Sequence, residues 1–277
     1  MVGGGASATG GGLGEVMLLK LGGSLITDKL SPGTPRLEVL ERLAGELVEG
    51  LGAIDERVLV GHGSGSFGHA EAVLHGIIGG CLDDAGRRGA SLTQARAAEL
   101  DALVLDALRD AGATPLPFPP SATVIADRGR PTSMSCDSLL EALNQGFLPV
   151  TYGDLVPDRS WGASILSTET ILATLVPQLR RRGYTIRRAL WFGATDGVLD
   201  KDGCVVEEIG PSNLEEILHT ARGAAGVDVT GGIRHRIEIV MDLATQGITS
   251  LLVDGTVDGN LAHALRGEEV GGTRING

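Results

Sequence analysis

The residues best suited to chemistry lie between Val16 and Lys29, in the run VMLLKLGGSLITDK. Lys20 stands near the end of an apolar stretch, Gly22, Gly23 and Ser24 follow, and Lys29 comes soon after. A glycine pair lets the backbone turn sharply and present its N–H groups to an anion. Two ammonium groups flanking such a turn can converge on one phosphate. Charge neutralisation of that kind is most of what a protein supplies to phosphoryl transfer. Alone, the pattern also fits an ordinary strand, turn and helix with surface lysines.

Four further glycine-containing turns extend the pattern. GHGSGSFGH, Gly61–His69, puts Ser64 and Gly65 in an anion-binding turn that His69 closes. A histidine there can donate to a phosphate and carries charge when protonated, although a lone histidine is more often structural. His62 directly follows a strand and is expected to brace the loop from its base. Thr151–Asp154, TYGD, ends another apolar run. Gly153 permits close approach of a ligand there, and Asp154 can accept a hydrogen bond or orient a lysine. A plain strand-to-turn junction fits equally well. GATDGVLDK, Gly193–Lys201, carries Asp196 and Gly197 in an Asp-Gly turn. In a nucleotide site this turn packs on adenine and ribose while Lys201 reaches a phosphate. DVTGGIRHR, Asp228–Arg236, contains Gly232, Arg234 and Arg236, with Thr230 as candidate N-cap. A capped surface helix with solvated arginines is the alternative.

Strands alternating with helices must position these turns. Apolar spacing predicts strands over Val16–Leu21, Arg57–Val60, Phe147–Tyr152, Ile186–Phe192 and Ile248–Val253. It predicts helices over Arg36–Leu51, Ser91–Ala111 (N-cap Ser91), Cys136–Gln145 (C-cap Gly146), Ser167–Arg182, Pro211–Arg222 and Ile233–Gln246. Lys201–Gly203 reads as a hairpin turn, and the proline-rich Thr114–Ala126 as edge strands and turns. The alternation implies an α/β fold with a mostly parallel sheet covered on both faces, whose ligands gather at the carboxyl ends of the strands. Residues 1–14, rich in glycine, read as a flexible tail, and residues 15–277 as a single domain.

Composition narrows the partners. The chain has 277 residues, 42% of them hydrophobic and only 3% aromatic, so its core is built from Leu, Val, Ile and Ala. A net charge of −12 argues against a nucleic-acid or anionic-membrane surface, so a phosphate ligand needs a local basic cluster. The three cysteines are widely spaced, without metal-ligand spacing, and suit a reducing cytoplasm. No apolar run reaches the roughly 18 residues of a membrane span.

In order and spacing, LLKLGGSLITDK, GHGSGSFGH, VTYGDLVPD and DVTGGIRHR resemble the amino acid kinase superfamily and, within it, the isopentenyl phosphate kinase family. The resemblance runs from about Val16 to the end, and the histidine closing the second loop separates this family from acetylglutamate and glutamate kinases. It implies an open αβα three-layer sandwich, usually a homodimer, that uses ATP and Mg2+ to convert isopentenyl phosphate to isopentenyl diphosphate. The N-terminal part would bind the acceptor and the C-terminal part ATP. By motif position Lys20 and Lys29 would neutralise the transferred phosphoryl group, with Lys29 acting on the transition state and His69 completing the catalytic set. Gly22, Gly23 and Ser24 would cradle ATP phosphates. Ser64, Gly65, His69, Gly153 and Asp154 would hold the acceptor, with Gly65 also near ATP. Asp196, Gly197, Gly232 and Arg236 would lie along the nucleotide, and no residue is expected to ligate metal directly. The chain departs from the family pattern at Ser64, at Gly193-Ala194, at Ser167-Thr168-Glu169 in place of Ser-Gly-Asp, and at Arg236 in place of lysine. Ala70–Leu74 and the 91–111 helix, with Ala98 and Leu103, are the expected lining of an isoprenoid pocket. A kinase of a phosphonate such as fosfomycin, or a non-catalytic nucleotide-binding protein on the same fold, is the competing reading.

Overall fold

The structure, a computed structural model, describes residues 13–220 and 232–277. In chain order the first half contains β1 (Gly14–Leu21), α1 (Gly23–Ile26), α2 (Leu37–Leu51), β2 (Arg57–His62), α3 (Gly65–Leu74), α4 (Asp84–Asp110), β3 (Pro115–Pro117), α5 (Pro120–Thr123), β4 (Val124–Asp127), β5 (Arg130–Met134) and α6 (Asp137–Asn144). There follow β6 (Leu148–Tyr152), β7 (Asp154–Asp158), β8 (Gly162–Leu166), α7 (Thr168–Arg181), β9 (Tyr184–Thr185), β10 (Arg188–Gly193), β11 (Glu208–Ile209), α8 (Leu214–Thr220), α9 (Gly232–Thr245), β12 (Thr249–Asp254), α10 (Asn260–Leu265) and β13 (Thr273–Ile275).

The main sheet has nine strands among the described residues, in the order β11-β13-β12-β10-β1-β2-β6-β3, with β9 also pairing with β1. From β12 to β3 every neighbouring pair is parallel, and β13 runs antiparallel to β12. The β1 strand is the pivot, flanked by β2 on one side and β10 on the other, with Lys20 level with Gly61 and Trp191. Its two-residue period sorts the side chains. Val16 and Leu18 face a core built with α6, α7 and α9, whereas Met17, Leu19 and Leu21 face one built with α2, α4 and α10. These are the three layers of the expected αβα sandwich. The same period sends Lys20 toward α7 and His62 toward α4, so strand register already assigns each polar group its partner helix.

Four elements differ from the sequence expectation. The long helix starts at Asp84 rather than Ser91, because Asp83 caps it by accepting the Gly86 N–H at 2.7 Å. Gly86 and Gly89 lie within this added stretch of helix, packed against Cys81 and His75 respectively, where a side chain would collide. A second sheet, β5-β4-β7-β8, went unforeseen; its hairpin turns are gathered by Asp158, which accepts N–H groups of Arg128, Gly129, Ser160 and Trp161 and the Ser164 hydroxyl. Those donors hold the Asp158 carboxyl well below its usual range despite its burial. The expected 186–192 strand is β10, which starts at Arg188, and the two-residue β9 lies before it at Tyr184–Thr185. Finally, the sheet begins inside the expected tail: the Leu13 N–H donates to Gly183 O at 3.1 Å, and Gly14 pairs with Tyr184.

Candidate active site

The glycine turns that follow β1, β2, β6 and β10 all stand at the carboxyl ends of parallel strands of the main sheet. The first two are locked together, backbone to backbone. The Gly63 N–H donates to Leu21 O at 2.9 Å, and the Gly22 N–H donates to Phe192 O at 2.7 Å across the gap to β10. A Cβ on Gly23 would lie 2.5 Å from the Gly65 nitrogen, so no other residue lets the loops approach this closely. Ser24 is half-buried in the single turn of α1. Gly65 adopts φ 52° and opens α3, on which His69 stands.

The cations converge on a buried acid. Lys20 Nζ donates to Glu169 Oε1 at 2.7 Å, and Arg236 Nε donates to the same oxygen at 2.8 Å. Glu169 lies in the first turn of α7, which Ser167 caps by accepting the Thr170 N–H at 3.1 Å. From there Glu169, Leu172, Val176 and Leu179 form one buried helical face over the sheet. Burial pushes the Glu169 carboxyl upward, but Lys20 and Arg236 outweigh it and hold the group well below the usual carboxylate range. The trio carries one net positive charge. The sequence singled out Glu169 as a departure, standing where the family pattern has an aspartate; what it did not give is the pair of partners, Lys20 and Arg236, that the structure supplies.

The loop after β2, the strand beside β1, leads to a second group of candidates. Ser64, His69, Gly153 and Asp154 line a small cavity of about 10 Å3 together with Gly68, Thr93, Ala97, Leu155 and Ile165. That is room for about one water. The His69 Nδ1–H donates to Gly65 O at 2.8 Å. Asp154 is buried and accepts the Ser121 N–H at 2.9 Å and the Leu155 N–H at 2.8 Å. Burial raises its carboxyl to about 6 against the pull of those donors. Gly153 and Asp154 stand at the junction of β6 and β7, where Asp154 accepts hydrogen bonds, and both also line the cavity. As expected, His62 braces the base of the loop. Its Nε2 pairs with buried Asp101 at 3.0 Å, its ring stacks on Tyr152, and its carbonyl accepts the Gly153 N–H and the Thr168 hydroxyl.

The remaining candidates are placed as follows. Lys29 is exposed in the loop after α1, and that loop rests on α3 through Ser66, whose hydroxyl donates to Ser31 O and whose carbonyl accepts the Gly33 N–H. Asp196 stands beside Asp254 at the ends of neighbouring β10 and β12, and the shared hydrogen bond raises its carboxyl. The Val198 N–H beside Gly197 donates to Thr273 Oγ1 at 2.8 Å. Lys201 is exposed in the expected hairpin turn, which the Leu199–Val205 bridge closes. Gly232 opens α9, whereas the candidate cap Thr230 lies outside the described residues. The long helix that holds Ala98 and Leu103 contributes to the cavity wall. Thr93 and Ala97 face the cavity, and Leu103 packs into the core against α2. Within Ala70–Leu74, Ala72 is buried in a small apolar cluster with Ile77, Cys81, Ala90 and Ala163, while Val73 and Leu74 are exposed.

The model of the amino acid kinase family matches residues 15–254. Isopentenyl phosphate kinase of Methanothermobacter thermautotrophicus is 34% identical over 95% of this chain and 99% of its own length. The enzyme of the same name from Methanocaldococcus jannaschii is 28% identical over 94% and 98%. Among solved structures, one of isopentenyl phosphate kinase superposes with a TM-score of 0.77 at 29% identity, covering 94% of this chain and all of that one. The T. acidophilum isopentenyl phosphate kinase product complex gives 0.73 at 25%, with the same coverage. With its loops, its sheet order and this match over nearly its whole length, the chain belongs to the amino acid kinase family, in its isopentenyl phosphate kinase branch.

Proposed function

We propose that the protein transfers the γ-phosphoryl group of ATP to isopentenyl phosphate, forming isopentenyl diphosphate and ADP. The observation that carries this reading is the pair Lys20 and Arg236 held on buried Glu169, one strand from a cavity walled by His69. Two anions can be brought together only where cations offset their repulsion. The acceptor phosphate oxygen attacks the γ-phosphorus as the bond to the ADP oxygen breaks. A phosphate monoester is already largely dianionic near neutral pH, its second pKa being about 6, so no proton needs removal. Catalysis then reduces to alignment and charge.

In this reading Lys20 and Lys29 neutralise the moving phosphoryl group while the Gly22-Gly23-Ser24 loop cradles the nucleotide phosphates, with the Gly22 N–H pinning the loop to Phe192 O and those of Gly23 and Ser24 turned to the ligand. Arg236 extends its remaining guanidinium N–H groups to the nucleotide, and Asp196, Gly197 and Gly232 lie along it. Ser64, Gly65, His69 and Gly153 hold the acceptor phosphate, and Asp154 walls its pocket. Because the His69 Nδ1–H is committed to Gly65 O, Nε2 donates to phosphate only from the doubly protonated, cationic ring. The prenyl tail would pass Leu155 and Ile165, which pack against the apolar cluster around Ala72 and Ala163. The cavity as it stands is too small for that tail, so its walls must part on binding. The N-terminal part of the single domain thus serves the acceptor and the C-terminal part ATP.

Magnesium would offset the negative charge of the nucleotide phosphates during transfer. Among the described residues no group of three or more His, Cys, Asp or Glu is placed to hold a metal ion. A homodimer and a cytoplasmic setting complete the proposal, both from the family resemblance. No helix among the described residues is long and apolar enough to cross a membrane.

The test is an acceptor panel of isopentenyl phosphate, dimethylallyl phosphate and fosfomycin, each with ATP and magnesium. Turnover with the prenyl phosphates, and loss of acceptor affinity in His69→Ala with ATP binding intact, is the expected result. Preference for fosfomycin would reassign the acceptor. ATP binding with no turnover on any phosphate would leave a non-catalytic binding protein.

A further inference from the structure

Thr27 is fully buried between the two glycine loops, and its hydroxyl serves both. Its Oγ1–H donates to Gly23 O at 2.7 Å, while the same oxygen accepts the Ser66 N–H at 3.0 Å. Gly23 belongs to the loop after β1 and Ser66 to the first turn of α3, so one hydroxyl ties the nucleotide loop to the acceptor loop. Contact on both sides leaves little freedom. A Cβ added at Gly65 would fall 2.2 Å from Thr27 Oγ1 and 2.8 Å from its methyl group. The Thr27 backbone extends the tie, bridging to Pro35 and so closing the loop that carries Lys29. Ser66 meets that loop from the other end through its hydroxyl and carbonyl.

We propose that Thr27 is a positioning residue that fixes the separation of the two phosphate loops, and with it the alignment of donor, acceptor and Lys29. The inference rests on the phosphoryl-transfer reading above and adds a residue to it. Thr27 touches neither phosphate; it acts through Gly23 and Ser66. Its hydroxyl is the coupling element because it is both donor and acceptor, and both bonds are used. An in-line transfer is sensitive to misplacement on the scale of 1 Å, which can cost on the order of 10²-fold in rate. Loosening the tie should therefore lower kcat more than it raises either KM.

The variants are Thr27→Val, which keeps the shape and removes the hydroxyl, and Thr27→Ser, which keeps the hydroxyl and removes the methyl. Thr27→Val is expected to lose about 10²-fold in kcat, with each KM changed by less than about 3-fold and Thr27→Ser returning most of the rate. Should Thr27→Val fail to fold, Thr27→Ala provides the same comparison. Equal losses in the hydroxyl and non-hydroxyl variants, or a loss confined to KM, overturn the proposal, as does a Thr27→Val kcat within 2-fold of the wild type. A binding arm needs no turnover: affinity for a non-hydrolysable ATP analogue is measured with and without inorganic phosphate. Phosphate in the wild type weakens the analogue, since the two anions share one cleft, and Thr27→Val is expected to reduce that coupling by 3-fold or more. If the wild type phosphorylates no acceptor offered, the assigned reaction fails while this arm still decides Thr27; unchanged coupling then overturns the proposal.

Discussion

Glu169 shows how much one buried group can set. Its carboxylate has two cationic partners, and breaking a buried pair by removing one member typically costs 3–5 kcal/mol. Glu169→Gln should therefore lower unfolding stability by about 3 kcal/mol in denaturant titrations, and turnover should fall on the order of 10²-fold because Lys20 and Arg236 lose their common anchor. Asp154 makes a different prediction. Burial raises its folded-state pKa to about 6, above its unfolded value, so between about pH 4 and 6 the folded chain binds more protons than the unfolded chain. The stability this group confers is present below pH 4 and is lost as pH rises toward 6, amounting to about 2–3 kcal/mol. Asp154→Asn should abolish that slope in unfolding experiments across this window. The sign is opposite for Glu169, whose lowered pKa makes its contribution present above the unfolded value and lost on acidification. Asp154→Asn also separates the acceptor classes. A phosphate acceptor needs no general base, so kcat should stay within about 10-fold, whereas loss of a true base costs 10²–10⁴-fold.

Among the elements, the strand-end turns were legible because glycine pairs after apolar runs mean close backbone approach in any α/β sheet. The Gly23–Gly65 contact is that approach realised. Gly65→Ala would force a side chain onto Thr27 at a positive φ, and turnover should fall by about 10²-fold with the sheet intact by circular dichroism. The second sheet was hidden for equally physical reasons. Its strands are four or five residues long, carry Pro131 and Pro157, and mix exposed with buried positions, so neither alternation nor an apolar run marks them. The start of α4 was masked by Gly86 and Gly89, whose low helix propensity is overridden by tight packing against Cys81 and His75. Within the helix, Thr93 and Ala97 turn toward the cavity and Leu103 toward the core, a division set by helical phase. Ala97→Leu should raise the acceptor KM about 10-fold or more while leaving the nucleotide KM within about 2-fold, since a pocket methylene is worth about 1–3 kcal/mol. Ala98→Leu should do neither, and steady-state kinetics with both substrates varied checks the pair.

On the scale of the whole molecule, an acidic chain has built a cationic centre by topology. Register places Lys20 on the α7 side of the central strand, α9 brings Arg236 to the same glutamate, and α3 stands His69 over the neighbouring turn. Sequence order revealed the members of this site; it could not reveal that Glu169 joins two of them, because that contact spans 149 residues from Lys20. The net charge of −12 over the whole chain has its own use, since a local positive focus in a negative surround favours small anions that fit the cleft over polyanions that must lie across the surface. The most direct measurement follows phosphorus by NMR in a mixture of protein, ATP, magnesium and isopentenyl phosphate, with isopentenol as the alternative acceptor. The account predicts ADP and a new diphosphate formed together from the phosphate, with no product from the alcohol. Unchanged isopentenyl phosphate, or a monophosphate growing from the alcohol, would contradict it.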